Sequence, residues 1–251
     1  MNKTALLVIG DEILTGRTQD ANTHYLATEL ARLGLPLAEV RVVPDDMDEI
    51  VAALNALRKK YKYVFTTGGI GPTHDDITAD AVAQAFGVDL PIHPEALARL
   101  EAYYENRPGK VNEARRRMAR VPVGGQLIEN TVTSAPGFYI ENVFVLAGVP
   151  HVMQAMFGAL KPLLEPGAPL ISYSVLCRIA EGDLSASFEA IAKKYPAVSL
   201  GSYPHQIGDN KWEVTLVARG YDAALVKQAY EDVQQMIIRL GGEADMVSLG
   251  S

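Results

Sequence analysis

In the first third of the chain, short runs of β-favouring apolar residues alternate with amphipathic stretches of helical period. This alternation restricts the fold more than any other feature. Ala5 to Ile9 reads as a strand and Ala21 to Leu33 as a helix, and Leu37 to Val43 followed by Met47 to Lys59 repeats the pair. The run Tyr63, Val64, Phe65 and the stretch Ile77 to Phe86 repeat it again. Strands separated by helices cannot close as tight hairpins, so they pair in parallel and the helices cover both faces of the sheet. Leu26, Leu30 and Leu33 fall at helical spacing, Gly34 supplies a C-terminal stop, and Pro44 closes the second strand before an acidic helix start at Asp45 and Asp46. The expected fold class is α/β.

The remainder has a different texture. Helical stretches run from about Pro94 to Asn106 and from about Asn112 to Ala119. After Pro122, the segments Leu127 to Glu129 and Phe138 to Leu146 read as β structure, with Pro136-Gly137 and Glu141-Asn142 as turns. Val152, Met156 and Leu160 place one apolar face on a further helix, which leads to the linker Glu165-Pro166-Gly167-Ala168-Pro169. The expected domains are 1–165 and 170–251. In the second, Ile171, Tyr173, Val175, Cys177 and Ile179 alternate with polar or outward residues, as on a strand with one buried face. Leu184, Phe188 and Ile191 suit a helix, Val198 and Leu200 a short strand, and Trp212, Val214, Leu216 and Ala218 another strand. Leu225, Ala229, Val233 and Ile237 then follow at four-residue steps. The order β-α-β-β-α describes a small α+β domain.

At 251 residues and 48% hydrophobic composition the chain can bury a sizeable core. A net charge of -7 and a pI near 5.3 argue against a broad nucleic-acid-binding face; the run Arg115-Arg116-Arg117 could form a local basic patch, but is expected rather to be the solvated face of a helix. Cys177 is the single cysteine, so neither an intramolecular disulfide nor a cysteine-based zinc cluster can form within one chain. No apolar stretch is long enough to span a membrane, and the N-terminus lacks the form of a secretory signal. A cytoplasmic protein with no membrane or nucleic-acid partner is expected.

The richest segment for chemistry is Thr66 to Thr78, which joins a strand end, a glycine turn and a pair of carboxylates. Glycines at a strand-to-helix turn let a ligand approach the backbone, and a helix N-terminus presents unpaired N–H groups to an anion. Thr67, Gly68, Gly69, Gly71, Pro72 and Thr73 are candidate phosphate contacts, and His74, Asp75 and Asp76 are candidate catalytic residues. The competing reading is a capping box, with Thr73 as the cap and Asp76 its acidic partner three residues on. Adjacent residues on a helix point roughly 100° apart, so Asp75 and Asp76 do not share one ligand equally.

The loop after the first strand holds Gly10, Asp11, Glu12 and Gly16. Ligands of open α/β sheets sit at the carboxyl ends of strands, so both loops could face one crevice. There Asp11, Glu12, Asp75 and Asp76 could hold a Mg²⁺-like ion against a diphosphate, or the acids could simply be solvated. A third loop, Asn130 to Gly137, offers Asn130, Ser134, Pro136 and Gly137 as possible lining for phosphate or ribose, although its composition also suits an ordinary loop. No Gly-x-x-x-x-Gly-Lys-Ser/Thr loop, Gly-x-Gly-x-x-Gly fingerprint or Gly-x-Ser-x-Gly elbow occurs, which counts against an ATPase, a typical dehydrogenase and a serine hydrolase.

Taken together, Gly10-Asp11-Glu12-Ile13-Leu14-Thr15-Gly16, Asp20 with Asn22, Thr67 to Asp76, Asn130 to Gly137, Leu146-Ala147-Gly148-Val149-Pro150 and Leu200 to Pro204 resemble a known family. It is the molybdopterin-binding (MoaB/Mog-like) domain, in the branch found in the competence/damage-inducible protein A (CinA) family. The resemblance implies a three-layer α/β/α first domain, a KH-like or ferredoxin-like second domain, and Asn22 among the ligand contacts. It further implies a homo-oligomer and a pyrophosphatase that uses a divalent metal, Mg, Co or Mn, with K⁺. The implied reaction splits FAD or ADP-ribose into AMP plus FMN or ribose 5-phosphate. The alternative it allows is a pterin- or nucleotide-binding protein without hydrolytic activity. The form Gly71-Pro72-Thr73-His74-Asp75-Asp76 is similar to the N-terminal domain of eukaryotic FAD synthases and tilts the expectation towards FAD. With Ser251 the last residue, the deamidase domain of many CinA proteins is expected to be absent, and Ala147 departs from the usual Pro-Gly-x-Pro turn.

Overall fold

Strand β1 (Thr4–Ile9) is buried along its whole length, and its alternate side chains feed two separate cores. Ala5, Leu7 and Ile9 face α3 (Met47–Lys60) and α4 (Thr78–Phe86), whereas Leu6 and Val8 face α2 (Asn22–Arg32) and α7 (Pro150–Leu160). A strand covered on both sides has no polar face to show water, which explains its unbroken apolar sequence. The computed structural model describes residues 3–105, 107, 109–208 and 211–247. They belong to two compact units, Met1–Gly167 and Ala168–Ser251.

In the first unit β1 pairs in parallel with β2 (Leu37–Val43) on one side and β3 (Tyr63–Thr67) on the other, and β3 pairs in parallel with β6 (Val143–Leu146). Beyond β6 the sheet turns antiparallel through β5 (Gly137–Ile140) and β4 (Gln126–Ile128), giving the order β2-β1-β3-β6-β5-β4. The architecture is the expected three-layer α/β/α, with a mixed rather than purely parallel sheet. The chain leaves β1 towards β2 and returns by α3 to β3 on the opposite side. Such a change of direction opens a crevice at the carboxyl ends of the strands. Single-turn α1 (Asp11–Leu14) and helices α5 (Pro94–Glu105) and α6 (Glu113–Arg116) complete the unit.

The second unit runs β7 (Ile171–Cys177), α8 (Glu181–Lys194), β8 (Ser199–Gly208), β9 (Lys211–Gly220), α9 (Ala223–Arg239) and β10 (Asp245–Val247). Its antiparallel sheet has the order β10-β7-β9-β8, the ferredoxin-like arrangement of a split βαβ repeat. Val175, Cys177, Val214, Leu216 and Ala218 pack against Val226, Val233 and Ile237 of α9. Strand β10 escaped the sequence reading because it is short and follows glycines. Strand β8 extends far beyond Val198 and Leu200, because backbone pairing to β9 carries its polar residues. Pro204 is tolerated because β8 is an edge strand.

Candidate functional site

Three strands of the first unit end in glycine turns that touch one another. A Cβ on Gly68, after β3, would collide with the Ile9 carbonyl oxygen at the end of β1, and one on Gly148, after β6, would lie 3.2 Å from the Gly68 Cα. Gly68 and Gly69 have φ of 102° and 65°, where side chains with a Cβ are strained. Thr78 fixes this turn: its hydroxyl donates to the Gly68 carbonyl at 2.9 Å and its backbone N–H to the Gly69 carbonyl at 3.0 Å. Helix α4 therefore starts at Thr78, behind a loop that carries the carboxylates.

Thr73 and Asp76 do not form a helix cap. The Asp76 Oδ2 accepts from the Thr73 N–H at 2.8 Å and from the Thr73 hydroxyl, closing the Gly71–Ile77 loop on itself. The N-cap position of α4 is Ile77, with no side-chain cap. The box fails because the Thr73 hydroxyl donates to the carboxylate, and Thr78, held by the glycine turn, decides where the helix begins. Both Asp76 oxygens lie over Gly71, within about 3 Å of where its Cβ would be, so the bare backbone there makes room for the carboxylate.

Beside these turns lies a cleft of roughly 680 Å³, a size that suits a small-molecule ligand. Of the residues singled out in the sequence, Glu12, Gly68, Gly69, Gly71, Pro72, Asp76 and Asn130 line it. Thr73 acts through Asp76, and Pro136 lines a small recess that shares Gly69, Gly71 and Asp76 with the cleft. Others stand behind the wall. Asn22 is buried and donates to the Gly148 carbonyl at 2.7 Å, Thr67 is buried in β3, and Gly137 lies in β5. Gly10 ends β1 and leaves room for the Glu12 carboxylate folded over it, while Ser134 takes a left-handed conformation at φ 58°. Asn130 is occupied by its own loop: its amide donates to Thr133 Oγ1 and the Ala135 carbonyl, and its oxygen accepts from Val132 and Thr133 N–H groups.

The acidic residues separate into two groups. Glu12 and Asp76 face the cleft, whereas Asp11 and Asp75 do not line it. His74 is 98% exposed and stays outside it as well. Asp11, Glu12 and Asp75 lie close enough to Asp45, at the end of β2, to repel its charge. Burial pushes the Asp45 carboxyl above the ordinary range, those neighbours push it further, and a hydrogen bond from the Asp11 N–H at 3.0 Å offsets part of the rise. Among the described residues no three Asp, Glu, His or Cys side chains come together as a metal cage. Two cleft carboxylates suit an ion shared with a ligand's phosphates, which is how Mg²⁺ is commonly held, and not a site made by protein alone.

The arginine run is not a solvated helix face. Arg115 lines the cleft with Tyr104 and Met118, and Arg117 Nη2 donates to the Asp76 carbonyl at 3.3 Å. Successive residues on a helical turn point roughly 100° apart, so Arg115 and Arg116 of α6 and Arg117 of the following 3-10 turn fan around the axis instead of sharing one side. Thr18, Thr133, Val152 and Met156 also line the cleft. Thr18 and Thr133 come from loops and Val152 and Met156 from the apolar face of α7, and local spacing does not show that these segments meet at one cleft.

Known proteins place this architecture. Residues 5–166 match the model of a family described as a probable molybdopterin binding domain, and residues 169–240 match that of the FAD synthase middle domain. A protein of Aeropyrum pernix is 34% identical over 252 residues, covering 94% of each chain. One of Caldicellulosiruptor saccharolyticus, provisionally named competence-damage inducible, is 31% identical over 95% of this chain, which spans 59% of that protein's length. The crystal structure of a CinA protein of unknown function from Thermoplasma acidophilum is 33% identical, with a TM-score of 0.61, over 64% of this chain and 96% of that one. The chain belongs to the molybdopterin-binding domain family, in its CinA-like branch, and carries a FAD synthase middle domain after it.

Proposed function

We propose that the protein is a nucleotide pyrophosphatase that binds FAD or ADP-ribose in the cleft at the ends of β1, β3 and β6 and splits the diphosphate, releasing AMP. The observation that carries this reading is the convergence of Glu12, Asp76 and the Gly68–Pro72 backbone on one cleft. The glycine turn lets phosphate oxygens approach main-chain N–H groups, and Asp76, held by Thr73, has a fixed direction from which to orient an attacking water. Its Oδ1 is the oxygen not engaged by Thr73. The match of residues 169–240 to a FAD synthase domain supports a flavin dinucleotide over other diphosphates. A divalent ion, Mg²⁺, Co²⁺ or Mn²⁺, when bound between Glu12, Asp76 and the diphosphate, would neutralise charge that these carboxylates alone would repel.

Purified protein incubated with FAD or ADP-ribose, each with Mg²⁺, Co²⁺ or Mn²⁺ and K⁺, should release AMP. Asp76→Ala should lower that rate by about 100-fold or more. Absence of AMP under every condition rejects the pyrophosphatase. A second reading, ligand binding without hydrolysis, is favoured by the family's description as molybdopterin-binding. It predicts calorimetric binding of a pterin or nucleotide with no product.

A further inference from the structure

One cleft wall holds a positive charge whose surroundings are built to keep it in place. Arg115 begins its turn under the Asn112 side chain, whose Oδ1 accepts the Arg115 N–H at 2.9 Å. The guanidinium folds back over Gly109, where a Cβ would lie 2.6 Å from Nη1, and there Nη1 donates to the Lys110 carbonyl at 2.6 Å. Its central carbon stands 4.3 Å from the centre of the Tyr104 ring, within cation–π range. Backbone, glycine and ring thus fix three sides of the group.

The edge bearing Nε and Nη2 has no hydrogen-bond partner among the described residues, and no carboxylate pairs with Arg115 there. Arg120, a few residues on, shows the contrast. It is neutralised by Asp80 through paired hydrogen bonds of 2.8 and 2.6 Å. In a chain of net charge -7, an ordered guanidinium without an acid, facing a cleft, matches an anionic ligand group.

We propose that Arg115, held in place by Tyr104, is a ligand-contacting residue that donates its Nε and Nη2 edge to a phosphate of the bound nucleotide and thereby selects phosphorylated ligands over nucleosides. This deepens the nucleotide reading of the same cleft and rests on it. With no divalent ion bound, Glu12 and Asp76 repel a phosphate, and Arg115 supplies the attraction that holds it in the same cleft.

Isothermal titration of AMP, ADP-ribose and adenosine into the full chain tests this. Arg115→Ala should weaken AMP and ADP-ribose roughly tenfold or more and leave adenosine unchanged. Arg115→Lys should recover part of the loss, since it keeps the charge without the fork. Tyr104→Leu should weaken the same two ligands without removing the charge. Equal binding of AMP by wild type and Arg115→Ala, with unchanged melting temperatures, overturns the role of Arg115 and leaves the nucleotide reading standing. A parallel loss for adenosine overturns the phosphate assignment. Wild-type protein that binds none of the three overturns both.

Discussion

Two neighbouring acidic regions of the first unit make opposite use of the same residue types. On the cleft side, Glu12 and Asp76 sit over glycine backbone, and Asp76 is aimed by Thr73. On the other side, Asp11 and Asp75 lie near Asp45, where like charges meet and the Asp45 carboxyl is pushed up. Each loop supplies one member to each neighbourhood in adjacent positions, and Glu12 is felt by both. Adjacency in sequence therefore does not make a shared ligand set. The turn of the backbone between two residues sends their side chains apart.

The comparison breaks most severely if the glycine scaffold is not what aims the cleft carboxylates. Gly68→Ala places a methyl group against the Ile9 carbonyl at a φ of 102°, and should destabilise the first unit by about 2–4 kcal/mol, read as a lower urea midpoint for its transition. A fall well under 1 kcal/mol would show that the strand ends can part freely.

The next effect separates the two regions by function. With FAD and a divalent ion, Asp76→Asn should lower AMP release by about 100-fold, while Asp75→Asn should change it less than about threefold. Equal losses would merge the two groups into one site.

The smallest effect concerns stability against pH. Asp45 holds its proton more tightly folded than unfolded, so its ionised form costs stability as pH rises through its folded pKa. Asp45→Asn keeps an acceptor for the Asp11 N–H and should stabilise the protein at pH 7, by about 0.5 kcal/mol after solvent screening at this half-buried group. The gain should shrink as pH falls through the carboxylate range, where the native Asp45 is protonated in both states. A gain independent of pH between 3 and 7 would point to packing instead of charge.

Much of the fold was legible. Apolar runs such as Ala5 to Ile9 and helical stripes such as Leu26 and Leu30 follow from short-range geometry, and both occur as expected. The glycine turn was also legible, since Gly68 and Gly69 adopt the backbone that only their composition suggests. Legibility stopped at direction and partnership. The Thr73 and Asp76 spacing fits a cap, yet a hydroxyl that donates to the carboxylate closes a loop instead. The Arg115 to Arg117 run fits a solvated face, yet a single-turn helix lets Arg115 reach Tyr104 in the cleft. Asn130 lines the cleft, and its polar atoms also hold its own loop, a partnership that its sequence position does not show.

By itself the sequence determined the alternation of strands and helices, the glycine turns and the family they mark, because hydrophobic period and backbone freedom are local properties. The tertiary structure alone decided that Glu12 and Asp76 face a cleft while Asp11 and Asp75 approach Asp45, and that Tyr104 and Arg115 line the same cleft. Those relations join residues far apart in the chain, and their side-chain directions are set only when the strand ends pack together.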